Sequence, residues 1–280
     1  MKRCLIVVNT KKEKSNSLAD ELVKFLEERG IEAQKFAFDG FCDINPFYGF
    51  DFVVTLGGDG TVLFASRGCA HFSIPVFPVN LGEFGFIASI QVEDCFASLE
   101  SFLQGKSTIT ERSLIEAELY RGGKIVSRMA ALNDIVICAK EAANTIDLNT
   151  SFNSLPLCHL KADGVILSTP TGSTAYSTSA GGPIVDPELD AILLTPINPF
   201  SLSSRPIVLN GNGEVEIKIN ECRVSEIVMK SDGQKPVKLE FSDTIKIKKM
   251  KEKAVLVDCT QERFYSALRS KLNWSGGPYA

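Results

Sequence analysis

The pattern of apolar residues changes near residue 108, and this change limits the folds open to the chain. Before it, short apolar runs such as Cys4–Val8 and Phe52–Leu56 alternate with segments of helical spacing such as Ser15–Arg29. A strand–helix alternation predicts a parallel sheet with helices on its faces. After it, short alternating segments follow one another without a long amphipathic helix, which predicts antiparallel, layered β-structure.

These patterns predict two domains. We expect a Rossmann-like α/β domain over residues 1–107, completed by residues 260–280, and a β-sandwich-like domain over residues 108–259. The pair Gly122-Gly123 between two alternating segments is typical of a hairpin turn. The further predicted elements are the strands Ile31–Phe38, Pro75–Asn80, Leu114–Tyr120, Ile125–Met129, Leu132–Cys138, Gly164–Ser168, Val215–Ile219, Ile227–Lys230, Val237–Phe241, Ile245–Lys249 and Ala254–Asp258, and the helices Val62–Ala70, Val92–Leu103 and Glu262–Leu272.

Charge and cysteine content exclude several classes of function. The balance of 30 basic and 34 acidic residues argues against a nucleic-acid-binding surface, and no apolar run reaches the roughly 18 residues of a membrane span. The eight cysteines form no C-x-x-C pair and only His71 and His159 accompany them, so we predict no zinc site. Scattered single cysteines are typical of a cytoplasmic protein. The basic run Lys246–Lys253 is interpreted as a solvated strand face and turn, with a binding patch as the alternative.

A glycine-rich loop, Gly57-Gly-Asp-Gly-Thr61, follows a buried strand and opens a helix. Ligands of open α/β sheets collect at the carboxyl ends of strands, and free N–H groups at a helix start favour phosphate. The loop matches neither the Walker motif nor the dinucleotide fingerprint. A carboxylate repels phosphates, so Asp59 indicates either a metal ligand or an acceptor for the proton of a hydroxyl under phosphorylation. The alternative is a helix-capping turn residue.

Polar residues adjoin three further predicted strands. A second glycine loop, from Asn80 to Ala88, would stand beside the first at the same sheet edge. Asn133 and Asp134 place an amide and a carboxylate at a strand start, which suits the two hydroxyls of a ribose or, alternatively, an ordinary turn. Asp163 is either a turn residue or a ligand contact. The segment 169–187 concentrates hydroxyls and glycines with few charges, which is typical of a surface that grips a polar ligand.

In their order along the chain, these motifs resemble those of bacterial NAD kinases, which phosphorylate the adenosine-side ribose 2′-hydroxyl of NAD to give NADP. The loop of residues 57–61 is shared with diacylglycerol kinases, sphingosine kinases and phosphofructokinases. The discriminating stretch is Thr169-Pro-Thr-Gly-Ser-Thr-Ala-Tyr176. The other matching stretches are Asn80-Leu-Gly82 with Gly85-Phe86, Leu132-Asn-Asp134, Asp163-Gly164, Ser179-Ala-Gly-Gly-Pro183, Thr195-Pro-Ile197, Ser201-Leu-Ser203, Arg205-Pro206, Ser231-Asp-Gly-Gln234 and Ser270–Ser275.

The resemblance implies a fold of the diacylglycerol-kinase and NAD-kinase type, with the site in a cleft between the domains. It assigns activation of the 2′-hydroxyl to Asp59. It gives ATP, or polyphosphate in some relatives, as donor with Mg²⁺ or another divalent cation, and assigns no metal ligand in the chain. It implies a homodimer or homotetramer in which a neighbouring subunit completes the site. The residues it assigns to substrate and cofactor binding are Gly57, Gly58, Asp59, Gly60, Thr61, Asn133, Asp134, Lys161, Asp163, Thr171, Ser173, Thr174, Ala175, Tyr176, Ser177, Thr178, Ser179 and Gln234.

Four residues depart from the family pattern, and three other functions were weighed. Phe84 and Ile87 stand where leucines are common, which should be harmless. Asp134 stands where Glu is commoner, and Lys161 stands where Arg is frequent, which keeps the charge but loses the bidentate fork. A lipid kinase would need an apolar groove or membrane-facing helix, which the sequence does not show. A silent NAD(P) sensor is disfavoured by the intact Asp59 and Asn133. A serine hydrolase acting through Ser173 lacks the G-x-S-x-G elbow.

Overall fold

The computed structural model describes residues 1–42, 44–82, 85–141, 144–224 and 226–272. The parts of the predicted glycine loop and C-terminal segment at Glu83, Phe84 and residues 273–280 therefore lie outside the described residues. The chain divides into two compact units, residues 1–112 with 252–280 and residues 113–251.

The elements alternate between strand and helix at first and are then almost entirely strands. In chain order they are β1 (Arg3–Asn9), α1 (Ser15–Glu27), β2 (Glu32–Phe38), β3 (Phe52–Gly57), α2 (Asp59–Ala70), β4 (Val76–Asn80), β5 (Ile90–Gln91), α3 (Cys95–Leu103), β6 (Ile109–Arg121), β7 (Lys124–Ala131), β8 (Asp134–Ala139), β9 (Ile146–Phe152), β10 (Leu155–Ala162), β11 (Gly164–Ser168), a 3₁₀ turn (Thr171–Thr174), α4 (Tyr176–Ser179), β12 (Ala191–Ile197), β13 (Ile207–Asn210), β14 (Glu214–Ile219), β15 (Ile227–Ser231), β16 (Val237–Leu239), β17 (Thr244–Val257) and α5 (Gln261–Leu272).

The first unit is built on a parallel sheet in the order β4-β3-β1-β2, with β5 beside the end of β4. Every residue of β3 is buried, as expected for a parallel strand covered on both faces. Leu18, Leu22 and Leu26 of α1 pack into the core on this sheet. Helix α1 ends at Glu27, two residues before the predicted Arg29, and Gly30 follows it with φ +71°.

The predicted start of the second helix was wrong. Helix α2 begins at Asp59 rather than Val62, because Gly58 is extended and the Thr61 N–H already donates to the Gly58 carbonyl at 2.9 Å. Helix α1 begins at Ser15 as predicted, and the Ser15 hydroxyl donates to the Asn9 carbonyl at 2.7 Å.

The second unit contains two antiparallel sheets. One has the order β13-β12-β11-β8-β15-β16, and the other has the order β10-β9-β14-β17-β6-β7. A single cluster of buried side chains draws on both sheets, including Ile115 and Ile217 from one and Ile137 and Leu167 from the other. The sheets therefore pack face to face, and the β-sandwich prediction is confirmed.

The turns and strands of this unit bear out some predictions and correct others. Gly122 and Gly123 have φ +57° and +76° and close the β6–β7 hairpin as predicted. The two strands predicted over residues 245–249 and 254–258 are one strand, β17, because no glycine, proline or turn residue interrupts its lysines. Strands β9, β10, β12 and β13 were not predicted; Pro196 inside β12 is a residue that normally argues against a strand.

The basic run lies on a strand face as predicted, but the predicted turn is absent because β17 continues through the whole run. Its lysines pair with carboxylates. Lys246 lies 3.3 Å from Glu214 and 3.4 Å from Glu216, and Lys248 lies 3.5 Å from Glu116. In the part of the chain that the structure describes, no helix has the length and apolar character needed to span a membrane.

Candidate functional site

The glycine loop of the first unit lies where three parallel strands end. Strand β3 ends at Gly57, which is paired in register with Asn80 at the end of β4. The Leu81 N–H donates to the Gly57 carbonyl at 2.8 Å. Asn9, which ends β1, donates from its amide to the Thr61 hydroxyl at 3.3 Å. The two predicted loops therefore meet at one edge of the sheet, as the strand pattern indicated.

The three glycines of this loop have different physical roles. A Cβ on Gly57 would lie 2.2 Å from the Thr61 hydroxyl, so Gly57 is required for packing. Cβ atoms on Gly58 and Gly60 would meet nothing within 4 Å. Gly58 has φ −110°, which any residue can adopt. Neither backbone strain nor packing against the described residues explains Gly58 and Gly60, which leaves room for a ligand to approach the backbone.

The Asp59 carboxylate accepts hydrogen bonds from three successive backbone N–H groups. Oδ2 accepts from Phe86 at 3.1 Å, and Oδ1 accepts from Ile87 at 3.3 Å and from Ala88 at 2.8 Å. A Cβ on Gly85 would lie 2.1 Å from Oδ1, so glycine is required there for the carboxylate to fit. Sequence reasoning missed this role: Asp59 joins the two loops as well as standing beside the open glycines.

Further contacts hold the backbone segment that donates hydrogen bonds to the Asp59 carboxylate. Arg263 donates from Nη1 to the Ser89 carbonyl. The Cys259 thiol contacts the Ile87 carbonyl at 3.7 Å, and the buried Arg112 donates to the Cys259 carbonyl at 2.8 Å. Asp59 is thus fixed against a supported piece of backbone.

An open cavity of about 370 Å³ adjoins the end of β4. It is flanked by residues that precede α1 and by residues that follow β4. Its lining residues are Lys12, Glu13, Lys14, Asn80, Leu81, Gly82, Gln91, Val92 and Glu93. The Gln91 amide nitrogen is buried and makes no hydrogen bond, so this cavity offers a donor without a partner.

In the second unit, the segment Leu132–Asp134 has all six of its backbone polar groups satisfied. Its three N–H groups donate to the Asp232 carboxylate at 2.9, 2.8 and 3.0 Å. The Leu132 carbonyl accepts from the Thr169 hydroxyl at 2.5 Å, and the Asn133 carbonyl from the Thr169 N–H at 2.9 Å. The Asp134 carbonyl accepts from the Asp232 N–H at 2.9 Å. The backbone beneath Asn133 and Asp134 is therefore held in one conformation.

The side chains on this segment keep polar capacity. The Asn133 Oδ1 is buried without a hydrogen-bond partner, which a neighbouring ligand donor would satisfy. Asp134 is 6% exposed. Burial, and then the nearby Asp232 carboxylate, raise the pKa of Asp134 to about 7, so a substantial fraction carries a proton at neutral pH.

The hydroxyl-rich segment is partly internal scaffold. Ser173 and Ser177 are fully buried: the Ser173 hydroxyl donates to the Val185 carbonyl at 3.1 Å, and the Ser177 hydroxyl lies 2.9 Å from that of Thr195. Thr178 donates to the Ser173 carbonyl. Thr171 is 9% exposed. A buried, bonded Ser173 also removes the hydrolase alternative.

The remaining residues of this segment lie towards the surface. Tyr176 is 46% exposed and Ser179 is exposed, while Thr174 and Ala175 are half-buried. Burial raises the pKa of Tyr176, and the neighbouring Cys138, Asp134 and Asp163 raise it further. The structure therefore brings Tyr176 into the electrostatic range of both predicted carboxylates.

Lys161 and Asp163 are held by partners that the sequence did not reveal. The Lys161 ammonium lies 3.6 Å from Asp147, and the Asn198 amide donates to the Asp163 carboxylate at 3.1 Å. Gln234 closes a turn, its N–H donating to the Ser231 carbonyl at 2.8 Å. Among the residues the structure describes, no group of three His, Cys, Asp or Glu side chains is arranged to hold a metal ion.

Comparison with known proteins identifies the same protein family for both units. The family model for the ATP-NAD kinase N-terminal domain matches residues 37–107, and that for the ATP-NAD kinase C-terminal domain matches residues 132–259. The NAD kinase of Treponema denticola is 44% identical over 279 residues, 99% of this chain and 98% of that protein. The NAD kinase of Thermoanaerobacter sp. is 36% identical over 281 residues, 97% of this chain and 99% of that protein.

Solved structures share the fold. Yeast NADH kinase complexed with NADH superposes with a TM-score of 0.81 at 24% identity, over 98% of this chain and 88% of that chain. An NAD kinase from Archaeoglobus fulgidus in complex with ATP gives a TM-score of 0.77 at 25% identity, over 95% of this chain and 96% of that chain. The order of motifs, the two family models and the full-length relatives agree: this chain belongs to the NAD kinase family.

Proposed function

We propose that this chain phosphorylates the adenosine-side ribose 2′-hydroxyl of NAD to give NADP, with MgATP as donor and Asp59 as the catalytic base. The observation that carries the proposal is the Asp59 carboxylate, which three backbone N–H groups hold in one orientation beside two glycines that face open space. Such a group is positioned before any substrate arrives, and phosphoryl transfer depends mainly on positioning.

The donor phosphates are assigned to the loop of residues 57–61 and the start of α2. The backbone at Gly58 and Gly60 is approachable, and the N-terminus of a helix favours anions. The neighbouring lysines, Lys12 and Lys14, add positive charge beside the same strand ends. The cation enters as part of MgATP, since Mg²⁺ is usually bound through substrate phosphates and water with few protein ligands.

Asp59 retains capacity to accept a proton. A carboxylate has about four acceptor positions, and the backbone uses two on Oδ1 and one on Oδ2. The 2′-oxygen attacks the γ-phosphorus, the bond from that phosphorus to the β–γ bridging oxygen breaks, and ADP leaves. The hydroxyl proton passes to Oδ2 of Asp59. General-base catalysis of this kind contributes about 10²–10⁴ in rate.

NAD is assigned to the second unit. Asn133 and Asp134, on their fixed backbone, are placed to hold the ribose hydroxyls, and the exposed ring of Tyr176 offers a face for the adenine. Lys161, Asp163, Thr174, Ala175, Thr178, Ser179 and Gln234 remain proposed contacts. Thr171, Ser173 and Ser177 support the segment from inside, so their contribution to NAD binding is assigned to their backbone.

One assay tests the function. Purified protein is incubated with NAD or NADH, Mg²⁺ and either ATP or polyphosphate, and NADP or NADPH formation is followed. We expect ATP-dependent NADP formation that the variant Asp59→Asn loses, whereas diacylglycerol is not phosphorylated. Absence of NADP with every donor would contradict the proposed function, and wild-type turnover by Asp59→Asn would remove that residue from the mechanism.

We further propose that the protein acts in the cytoplasm as a homodimer or homotetramer. All eight cysteines are free thiols, as expected in a reducing compartment. Phe200 and Leu202 are 84% and 89% exposed on a loop whose Phe200 N–H donates to the Lys161 carbonyl at 2.8 Å. Light scattering of the purified protein measures the assembly, and a monomer at micromolar concentration would contradict this part of the proposal.

A further inference from the structure

We propose that Asp232 is a positioning residue for NAD: its carboxylate fixes the backbone from which Asn133 and Asp134 reach the ribose. This inference rests on the proposed function, which gives Asn133 and Asp134 that role. In the sequence, Asp232 stands in the matching stretch Ser231-Asp-Gly-Gln234, of which the resemblance assigned only Gln234 to substrate binding.

The three contacts of the Asp232 carboxylate determine the path of the chain. Oδ2 accepts from the Leu132 N–H at 2.9 Å, and Oδ1 accepts from the N–H groups of Asn133 and Asp134 at 2.8 and 3.0 Å. Successive N–H groups converge on one acceptor only where the backbone turns, because those of an extended strand point alternately to opposite sides. The carboxylate therefore defines the bend that precedes β8.

Asp232 is itself held in the turn after β15. Asp232 and Gly233 have φ +44° and +67°, and the Gln234 N–H closes the turn on the Ser231 carbonyl at 2.8 Å. Aspartate is among the few residues that adopt this left-handed conformation readily. In the same position the Asp232 N–H donates to the Asp134 carbonyl at 2.9 Å, which fixes the turn and the bend to each other.

The opposite side of the bend is closed by residues of the discriminating motif. Thr169 uses its hydroxyl and its N–H on the carbonyls of Leu132 and Asn133. A Cβ on Gly172 would lie 2.1 Å from the Asn133 carbonyl oxygen, so only glycine lets the segments approach this closely. The bend lies between Thr169 and Asp232, and loss of the Asp232 carboxylate would free all three of its N–H groups.

A carboxylate suits this position better than an amide. Asparagine could keep the two bonds that Oδ1 accepts, but if so its NH₂ group would face the Leu132 N–H, donor against donor. Asp232→Asn should therefore weaken the bend, and Asp232→Ala should release it. The negative charge of Asp232 has a second effect, since it contributes to the raised pKa of Asp134.

The test compares Asp232→Asn and Asp232→Ala with a matched control, Asp243→Asn. Asp243 is also a turn aspartate of the second unit; it is 1% exposed and accepts from the Glu240 N–H at 2.8 Å and from Arg121 at 2.7 Å. We expect the KM for NAD to rise about tenfold in Asp232→Asn, the effect of about 1.4 kcal/mol, and further in Asp232→Ala. The KM for ATP should stay within about twofold, and Asp243→Asn should lower thermal stability without raising the KM for NAD.

Two additional readouts separate positioning from general destabilisation. In Asp232→Asn, amide hydrogen exchange should accelerate more at residues 132–134 than elsewhere in the second unit. This measurement can still be made on Asp232→Asn if Asp232→Ala does not fold. The pH at which NAD affinity changes should fall in Asp232→Asn, because a negative neighbour of Asp134 is removed. An unchanged KM for NAD, equal rises in the KM values for NAD and ATP, or unchanged exchange at 132–134 would overturn the inference. A wild-type protein that makes no NADP would instead refute the proposed function.

Discussion

Asp59 in the first unit and Asp232 in the second make the same set of hydrogen bonds in different surroundings. Each carboxylate accepts hydrogen bonds from three successive backbone N–H groups, at residues 86–88 and at residues 132–134. Asp59 lies in the first turn of α2 between Gly58 and Gly60, which face open space. Asp232 lies in a left-handed turn close to a second, buried carboxylate, Asp134.

The difference shows that the hydrogen bonds of an aspartate do not alone decide its role. Both aspartates order a loop. Of the two, Asp59 alone lies beside an approachable glycine backbone at the ends of parallel strands, where ligands of such sheets bind. We therefore assign proton transfer to Asp59 and positioning to Asp232, and the following experiments test that division.

The largest effect is expected for Asp59→Asn. Removing the proposed base should lower kcat by about 10²–10⁴, while the Kd for NAD measured by calorimetry changes little. Thermal unfolding serves as the control for folding, because the asparagine carbonyl can still accept from Ile87 and Ala88. A matching loss of NAD affinity, with kcat preserved, would make Asp59 a loop-ordering residue like Asp232.

The next effect is the pH dependence of stability at Asp134. Burial and the Asp232 carboxylate raise the pKa of Asp134 from its ordinary value of 3.8 to about 7, so the folded protein holds a proton that the unfolded chain releases. The bound proton therefore contributes to the free energy of unfolding. This contribution is fully present below pH 4 and is lost as the pH rises through about 7, and it amounts to at most about 4 kcal/mol. The variant Asp134→Asn has no proton to lose at this position. Between pH 5 and pH 8, urea unfolding should therefore show its stability rising relative to that of the wild type. A pH-independent difference would contradict the raised pKa.

A smaller effect separates two glycines near Asp59. In Gly85→Ala the added Cβ would lie 2.1 Å from Asp59 Oδ1, and overpacking of this kind costs about 1–3 kcal/mol. In Gly58→Ala the Cβ meets nothing within 4 Å, so stability should change by less than about 0.5 kcal/mol. Urea denaturation compares the two. If Gly58→Ala lowers kcat/KM for ATP at unchanged stability, the open space is used by the donor; equal destabilisation of both variants would contradict the described geometry.

The smallest effect is expected at an exposed ion pair away from either aspartate. Lys246 lies 3.3 Å from Glu214, and both side chains are more than a third exposed. Lys246→Gln should change stability by at most about 1 kcal/mol, and the change should shrink in high salt. A larger, salt-independent loss of stability would show that surface charge on β17 contributes as much to stability as the carboxylates that order loops.

The sequence predicted most of the architecture because periodicity reports burial directly. The buried run of β3 and the helical spacing of α1 were sufficient for the parallel sheet, and Gly122-Gly123 for a hairpin. Strands β9, β10, β12 and β13 were missed. Pro196 argues against a strand at β12, whereas β9 does alternate, with Ile146, Leu148 and Thr150 buried. The resemblance identified the family because the motifs occur in order over nearly the whole chain.

What the sequence alone determined is therefore the two kinds of fold, the family and the residue types available for phosphoryl transfer. Only the tertiary structure decided which hydroxyls are internal, as with Ser173 and Ser177, and which aspartates order loops. The physical reason is that Asp232 and Asn133 lie 99 positions apart, so their hydrogen bond depends on where the strands place both residues. Local periodicity contains no information about contacts between such distant positions.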